Sequence, residues 1–280
     1  MDKVKITIPQ CRQFKEEGRK VKMIVAYDYP MAALIDRSDA DMILVGDSLG
    51  MVVLGLDTTV PINIEEIVYH LRAVKRAAKS TMVVADMPFM SYINIDESVR
   101  NAGKLMKEGA DCVKLEGGLT IAAKVRAIVD AGIPVMGHIG LTPQTVSMLG
   151  GFKVQGKDSA AAERLLHEAL ALEDAGAFAV LMECVPARLA KLITEKLKVP
   201  TIGTGAGPDV DGHCLNAYDL LGIFDRFVPK FVRQYAQLGP KLVDVFNSYC
   251  REIDCGEFPL QEHCFHMNEE ELKQLSQTDK

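Results

Sequence analysis

The chain has 280 residues, 48% of them hydrophobic, and a formal charge of -6. That length accommodates one large core or two small domains, and a net negative charge without clustered Lys and Arg argues against a nucleic-acid or anionic-membrane partner. A small molecule is the expected partner. Seven cysteines scattered from Cys11 to Cys264 show no closely paired zinc or dithiol spacing and read as free thiols of a cytoplasmic protein. The opening MDKVKITIPQ lacks a signal-peptide core, and no uninterrupted apolar run approaches the length of a membrane span.

In chain order, short apolar runs recur at 21–28, 41–48, 81–88, 111–118, 133–140, 178–185 and 199–207, and an eighth is expected at 225–232, where Pro229 interrupts it. Continuous apolar runs are what parallel strands buried on both faces require. The segments 64–79 and 159–176 between them carry apolar residues at helical spacing. Gly109, Gly132 and Gly176 fall where helices end, and Thr142-Pro143 resembles an N-cap followed by Pro at N1. Repeated βα units predict a closed barrel, with a doubly wound open sheet as the alternative. The expected organisation is one domain over 1–280, with 247–280 as a peripheral helical tail. Within it NEEELKQL (268–275) is expected to form a helix with Asn268 as cap and Glu271 as its partner, and the last few residues are expected to be disordered.

A parallel barrel builds its active site at the C-terminal strand ends, so the residues closing the runs are the candidates. Four are acids: Asp47, Asp86, Glu116 and Glu183. An Asp after a strand is often a cap or turn residue, yet four carboxylates converging on one mouth repel one another unless a cation offsets them. Oxygen ligands without paired His or Cys suit a hard ion such as Mg2+, with Asp47 and Asp86 as direct ligands and Glu116 bound directly or through water. Lys114 and Glu116, two apart on a strand, share a face, and an inward lysine suits either a structural ion pair or a substrate carboxylate. Ser48 can offer a hydroxyl to the same anion. His138, at the end of the fifth run, suits either proton movement or a neutral core position. His70 and His167 lie in helical patterns and receive no chemical role. GTGAG (203–207) reads as a tight turn or a weak phosphate site, and GGFKVQGK (150–157) as a surface loop or a closing segment.

The blocks AYDYPMA, LVGDSLGMVVLG, VVADMPF, VKLEGG, PVMGHIGLTPQ, ECVP and the GAG of IGTGAG, in this order and spanning nearly the whole chain, resemble the ketopantoate hydroxymethyltransferase family. The resemblance implies an α/β fold, a (β/α)8 TIM barrel of the phosphoenolpyruvate mutase/isocitrate lyase-like type, and a homo-oligomer, often a decamer. It implies a divalent metal, usually Mg2+, and one-carbon transfer from 5,10-methylenetetrahydrofolate to 3-methyl-2-oxobutanoate, giving 2-dehydropantoate for pantothenate biosynthesis. Matched block by block, Asp47, Asp86 and Glu116 are the metal-associated acids, and Asp47, Ser48, Asp86, Lys114 and His138 border the oxo acid. Glu183 is the proton acceptor. The sequence departs from the family pattern at Thr204, at His213 and its neighbours in DGHCLNAYD, and at Met90, which bears on the folate-facing rim. Alternatives are a metal-dependent oxo-acid lyase or mutase on the same barrel, and a non-catalytic barrel that binds or assembles.

Overall fold

The computed structural model describes residues 3–275, so the expected disorder at the extreme C-terminus lies outside the described residues. The chain divides into two compact units, one ending at Tyr235 and one beginning at Ala236. The first is a closed barrel of eight parallel strands in sequential order. They are β1 (Val21–Val25), β2 (Met42–Val45), β3 (Met82–Asp86), β4 (Cys112–Glu116), β5 (Val135–Gly140), β6 (Ala179–Glu183), β7 (Thr201–Thr204) and β8 (Gly212–Asn216). Closure excludes the doubly wound alternative. Every residue of β2, β3, β4 and β5 is buried, as expected for strands packed between a filled interior and an outer helical ring.

The seven clear runs each contain a strand, but the eighth was misplaced in the expectation. The strand that closes the barrel is β8, which pairs with β1 from Val21↔Gly212 to Val25↔Asn216. Residues 225–232 form turns without strand pairing. Pro229 has no N–H to give a ladder, which disfavours that segment as a central strand. The true strand was overlooked because β7 and β8 are joined by residues 205–211 with no helix between them, so the βα rhythm breaks at its last repeat. The GAG of GTGAG opens that connection: a Cβ on Gly205 would lie 2.7 Å from the Phe231 ring, and one on Gly207 2.4 Å from Ala187. The tight-turn reading of this segment fits these contacts.

The helices hold the barrel by one-sided burial. Ile64–Ala77 starts in a capping box between Asn63 and Glu66 and buries Ile67, Val68, Leu71, Val74 and Ala77. Ser159–Asp174 buries Leu165, Ala169 and Leu172, and each inward leucine contributes about 1.5–3 kcal/mol. Leu172 packs against Gly137 of β5, where a Cβ would meet it at 2.6 Å. At the N-terminal end of the barrel three acids tie strands together. Asp41 accepts the Lys22 N–H at 2.9 Å, Asp111 the Val83 N–H at 2.8 Å and Asp211 the Thr201 N–H at 2.9 Å. Arg19, Lys5 and Lys15 neutralise these three carboxylates in turn.

The second unit contains the helices Leu238–Asp254 and Glu269–Leu275, so helical structure begins upstream of the boundary expected at Asn247. Asn268 accepts the Glu270 N–H at 2.8 Å at the start of the second helix. No residue of either helix is buried.

Candidate active site

The C-terminal mouth of the barrel opens into a cavity of about 560 Å³ lined by Asp47, Ser48, Asp86, Lys114, Glu116, His138 and Glu183. All the candidate residues are therefore brought to one place. Strand register explains the grouping. Asp86 of β3 is paired with Lys114 of β4, and Glu116 of β4 with His138 of β5, so these side chains project as neighbours on the inner face.

Asp47, Asp86 and Glu116 are buried, and each offers an oxygen within 4.8 Å of the others. Lys114 Nζ donates to both Asp86 oxygens at 2.7 Å and to Glu116 Oε1 at 3.3 Å. Burial opposes its charge, but Asp86, Glu116 and Asp47 outweigh burial and hold the ammonium group protonated well beyond its ordinary range. One ammonium does not neutralise three acids. Burial, followed by repulsion from Asp86 and Glu116, pushes Asp47 well above the usual carboxylate range, and burial also raises Asp86 despite Lys114. For Glu116, burial is outweighed by Lys114, His138 and the Gln144 N–H, and its pKa falls to about 2. Buried carboxylates pushed toward their neutral forms for want of positive charge, in an all-oxygen donor set, fit a hard divalent cation.

His138 bridges this centre to the fourth acid, with Nδ1 3.2 Å from Glu116 Oε1 and Nε2 3.4 Å from Glu183 Oε2. Neither approach has hydrogen-bond alignment, so both buried ring nitrogens lack a hydrogen-bond partner among the described residues. Burial disfavours the imidazolium, yet Glu116 and then Glu183 raise its pKa to about 9. Glu183 stands outside the close acidic triad and keeps 20% of its side chain exposed, whereas Glu116 keeps 1%.

The backbone around Glu183 is held from several sides. Its carbonyl accepts the Leu141 N–H at 2.8 Å, and the next residue, Cys184, has a left-handed φ of 49° and donates its N–H to Thr204 O at 2.9 Å. Gly140, with φ 92°, lies beside it, and a Cβ there would sit 2.3 Å from the Glu183 carbonyl oxygen. Only glycine lets β5 approach so closely.

Sequence reasoning missed four polar residues of this centre. Gln144 is buried, donates from Nε2 to Asp47 Oδ2 at 2.8 Å and to Met87 O at 3.0 Å, and gives its backbone N–H to Glu116 Oε2 at 3.0 Å. The Tyr92 hydroxyl donates to Gln144 Oε1 and so fixes the amide's orientation. Tyr27 and Asn216 stand behind Ser48. Gln144 and Tyr27 lie in the quoted blocks GLTPQ and AYDYPMA, but an uncharged side chain carries no chemical signal until its partners are known. Of the departures, Thr204 lines the cavity, as do Cys214, Leu215 and Asn216 beside His213, whereas His213 itself and Met90 do not. His70 braces Tyr27, its Nδ1 lying 2.7 Å from the Tyr27 carbonyl oxygen.

Fold and site together define a (β/α)8-barrel enzyme with a buried acidic centre suited to a divalent cation. A profile of the ketopantoate hydroxymethyltransferase family matches residues 5–261. The 3-methyl-2-oxobutanoate hydroxymethyltransferase of Heliobacterium modesticaldum is 58% identical over 268 residues, covering 95% of this chain and 97% of that protein. The protein of the same name from Clostridium botulinum is 50% identical over 274 residues, covering 97% and 100%. The chain belongs to the ketopantoate hydroxymethyltransferase family. Among solved structures, phosphonopyruvate hydrolase superposes with a TM-score of 0.59 at 14% identity, covering 98% of this chain and 96% of that one. A 2,3-dimethylmalate lyase, described as a PEP mutase/isocitrate lyase superfamily member, gives 0.58 at 15%, covering 97% and 98%. These two likenesses concern the fold alone.

Proposed function

We propose that this enzyme transfers a hydroxymethyl group from 5,10-methylenetetrahydrofolate to 3-methyl-2-oxobutanoate, giving 2-dehydropantoate. The carrying observation is the buried Asp47–Asp86–Glu116 triad with Lys114 beside it and a more open carboxylate, Glu183, across His138. Mg2+ held by the three acids would polarise the keto oxygen of the oxo acid and acidify its C3–H. Ser48 and Lys114 orient the substrate, Ser48 by hydrogen bonding its carboxylate and Lys114 by placing positive charge beside the oxygen that gains negative charge. Glu183 takes the C3 proton. Its Oε2 lies 3.4 Å from His138 Nε2, a contact that holds the carboxylate at the cavity wall where a base is needed. C3 then attacks the folate-borne methylene, and in the net reaction water supplies the hydroxyl oxygen as tetrahydrofolate leaves.

The outer cavity wall supports the folate half. Phe152, Phe224, Phe227 and Phe231 line it, and flat apolar faces suit a fused heteroaromatic ring. The same reading extends to assembly as a homo-oligomer, a decamer by family resemblance. It is supported by the helix Leu238–Asp254, which leaves Val243, Val245, Phe246 and Tyr249 exposed. The cysteines are free, which suits the reducing cytoplasm, and no helix among the described residues is long and apolar enough to cross a membrane. The test is an assay of purified protein with 3-methyl-2-oxobutanoate, with and without methylenetetrahydrofolate and with Mg2+ present or chelated. Product that requires all three supports the reading. Turnover of the oxo acid without folate, or indifference to that oxo acid, overturns it in favour of lyase or mutase chemistry.

A further inference from the structure

Ser48 is bound to the fold by an arrangement that fixes which way its proton points. Asn216, at the end of β8, accepts the Tyr218 N–H on Oδ1 at 3.0 Å. That bond settles the orientation of the amide, so the group 2.6 Å from the Tyr27 hydroxyl is the Asn216 NH2. An NH2 group can only donate, which makes the Tyr27 oxygen its acceptor. Tyr27 must then direct its own proton elsewhere, and Ser48 Oγ lies 2.8 Å away. With Tyr27 donating, Ser48 Oγ is the acceptor in that contact. Its own proton remains unassigned, and among the described residues Ser48 Oγ has no other hydrogen-bond partner. Ser48 and Asn216 line the cavity, whereas Tyr27 is fully buried between them and stacks on the Tyr218 ring at 5.9 Å.

We propose that Asn216, Tyr27 and Ser48 form a one-way hydrogen-bond relay that commits Ser48 to donating into the cavity, toward the carboxylate of the bound oxo acid. Asn216 and Tyr27 are positioning residues that act through Ser48 and do not touch the reacting carbon. Fixing the donor before binding removes the rotor freedom a lone serine would lose on meeting its ligand and presents an anionic oxygen with a hydrogen in place of a lone pair. The inference rests on the functional reading above, because it takes the ligand to be a 2-oxo carboxylate.

Reversing the relay tests it. In Asn216→Asp the carboxylate still accepts the Tyr218 N–H but now also accepts the Tyr27 proton. Tyr27 then accepts from Ser48, and Ser48 turns a lone pair toward the substrate. Calorimetric titration of the Mg2+-supplemented protein with 3-methyl-2-oxobutanoate is expected to show Kd raised by about tenfold or more. The loss should appear in KM more than in kcat. In a Tyr27→Phe background the same substitution should alter Kd by less than about twofold, because residue 216 no longer has a route to Ser48. Asn216→Leu, which removes the directing donor without adding charge, should give a smaller loss of about threefold that also vanishes in the Tyr27→Phe background, and it carries the test if Asn216→Asp does not fold. Wild-type binding with losses that persist undiminished in the Tyr27→Phe background overturns the relay alone, since the new group would then be acting directly on the site. Unchanged Kd in both Asn216 variants does the same. No binding of the oxo acid by the wild-type protein overturns both the relay and the functional reading.

Discussion

Replacing Gln144 by Leu keeps the side chain's approximate size while deleting the amide that holds Asp47 in place. In the wild type, Nε2 donates to Asp47 Oδ2 at 2.8 Å, and Tyr92 locks the amide so that this donor cannot turn away. A hydrogen bond to a buried charged group contributes about 1.5–3 kcal/mol. Asp47 already suffers from burial and from its neighbours Asp86 and Glu116, and losing the donor would move it further toward the protonated form that cannot ligate a cation. The expected result is weaker Mg2+ affinity by about 10- to 100-fold, the usual cost of losing a group that orients a ligand. Because the backbone N–H of Gln144 still serves Glu116, the pocket itself should persist. Magnesium titration by calorimetry, paired with the Mg2+ dependence of turnover, reads this directly. Turnover at saturating Mg2+ should recover most of the wild-type rate. Unchanged Mg2+ affinity in a folded Gln144→Leu protein would refute the view that this amide sets the metal-binding form of Asp47.

Glu183→Gln should lower kcat by about 10²- to 10⁴-fold while calorimetric Kd for 3-methyl-2-oxobutanoate moves by only a few-fold, and undiminished turnover would remove its role as base. Gly140→Ala forces a Cβ to within 2.3 Å of the Glu183 carbonyl and onto a left-handed φ, so thermal unfolding should show a loss of more than about 1–2 kcal/mol, with a fall in kcat as β6 shifts. Asp111→Ala, at the opposite end of the barrel, removes an acceptor from the Val83 N–H and a partner from Lys5. Denaturant unfolding should register a loss of about 1–3 kcal/mol with kcat preserved, and a large fall in kcat would contradict the division of labour between the two barrel ends.

The barrel was legible because burial on both sides writes itself into a strand as a continuous apolar run, as in Met42–Val45 and Met82–Asp86. The rule failed at β8, whose sequence GHCLN alternates in burial and follows β7 without a helix, and it was drawn instead to the apolar stretch around Pro229. The charged members of the site were legible for a similar reason, since an acid or lysine at the end of an apolar run demands a partner wherever the chain folds. Asp47, Asp86, Lys114, Glu116 and Glu183 all carried that mark.

The sequence by itself determined the parallel α/β architecture, the acids at the strand ends and, through its ordered blocks, the family. The tertiary structure alone decided which strand closes the barrel, that His138 lies between Glu116 and Glu183, and that the amides of Gln144 and Asn216 set the direction of hydrogen bonds around Asp47 and Ser48. Burial and charge are properties a residue carries in its own type and spacing, whereas the direction of a hydrogen bond exists only between groups brought together from distant parts of the chain.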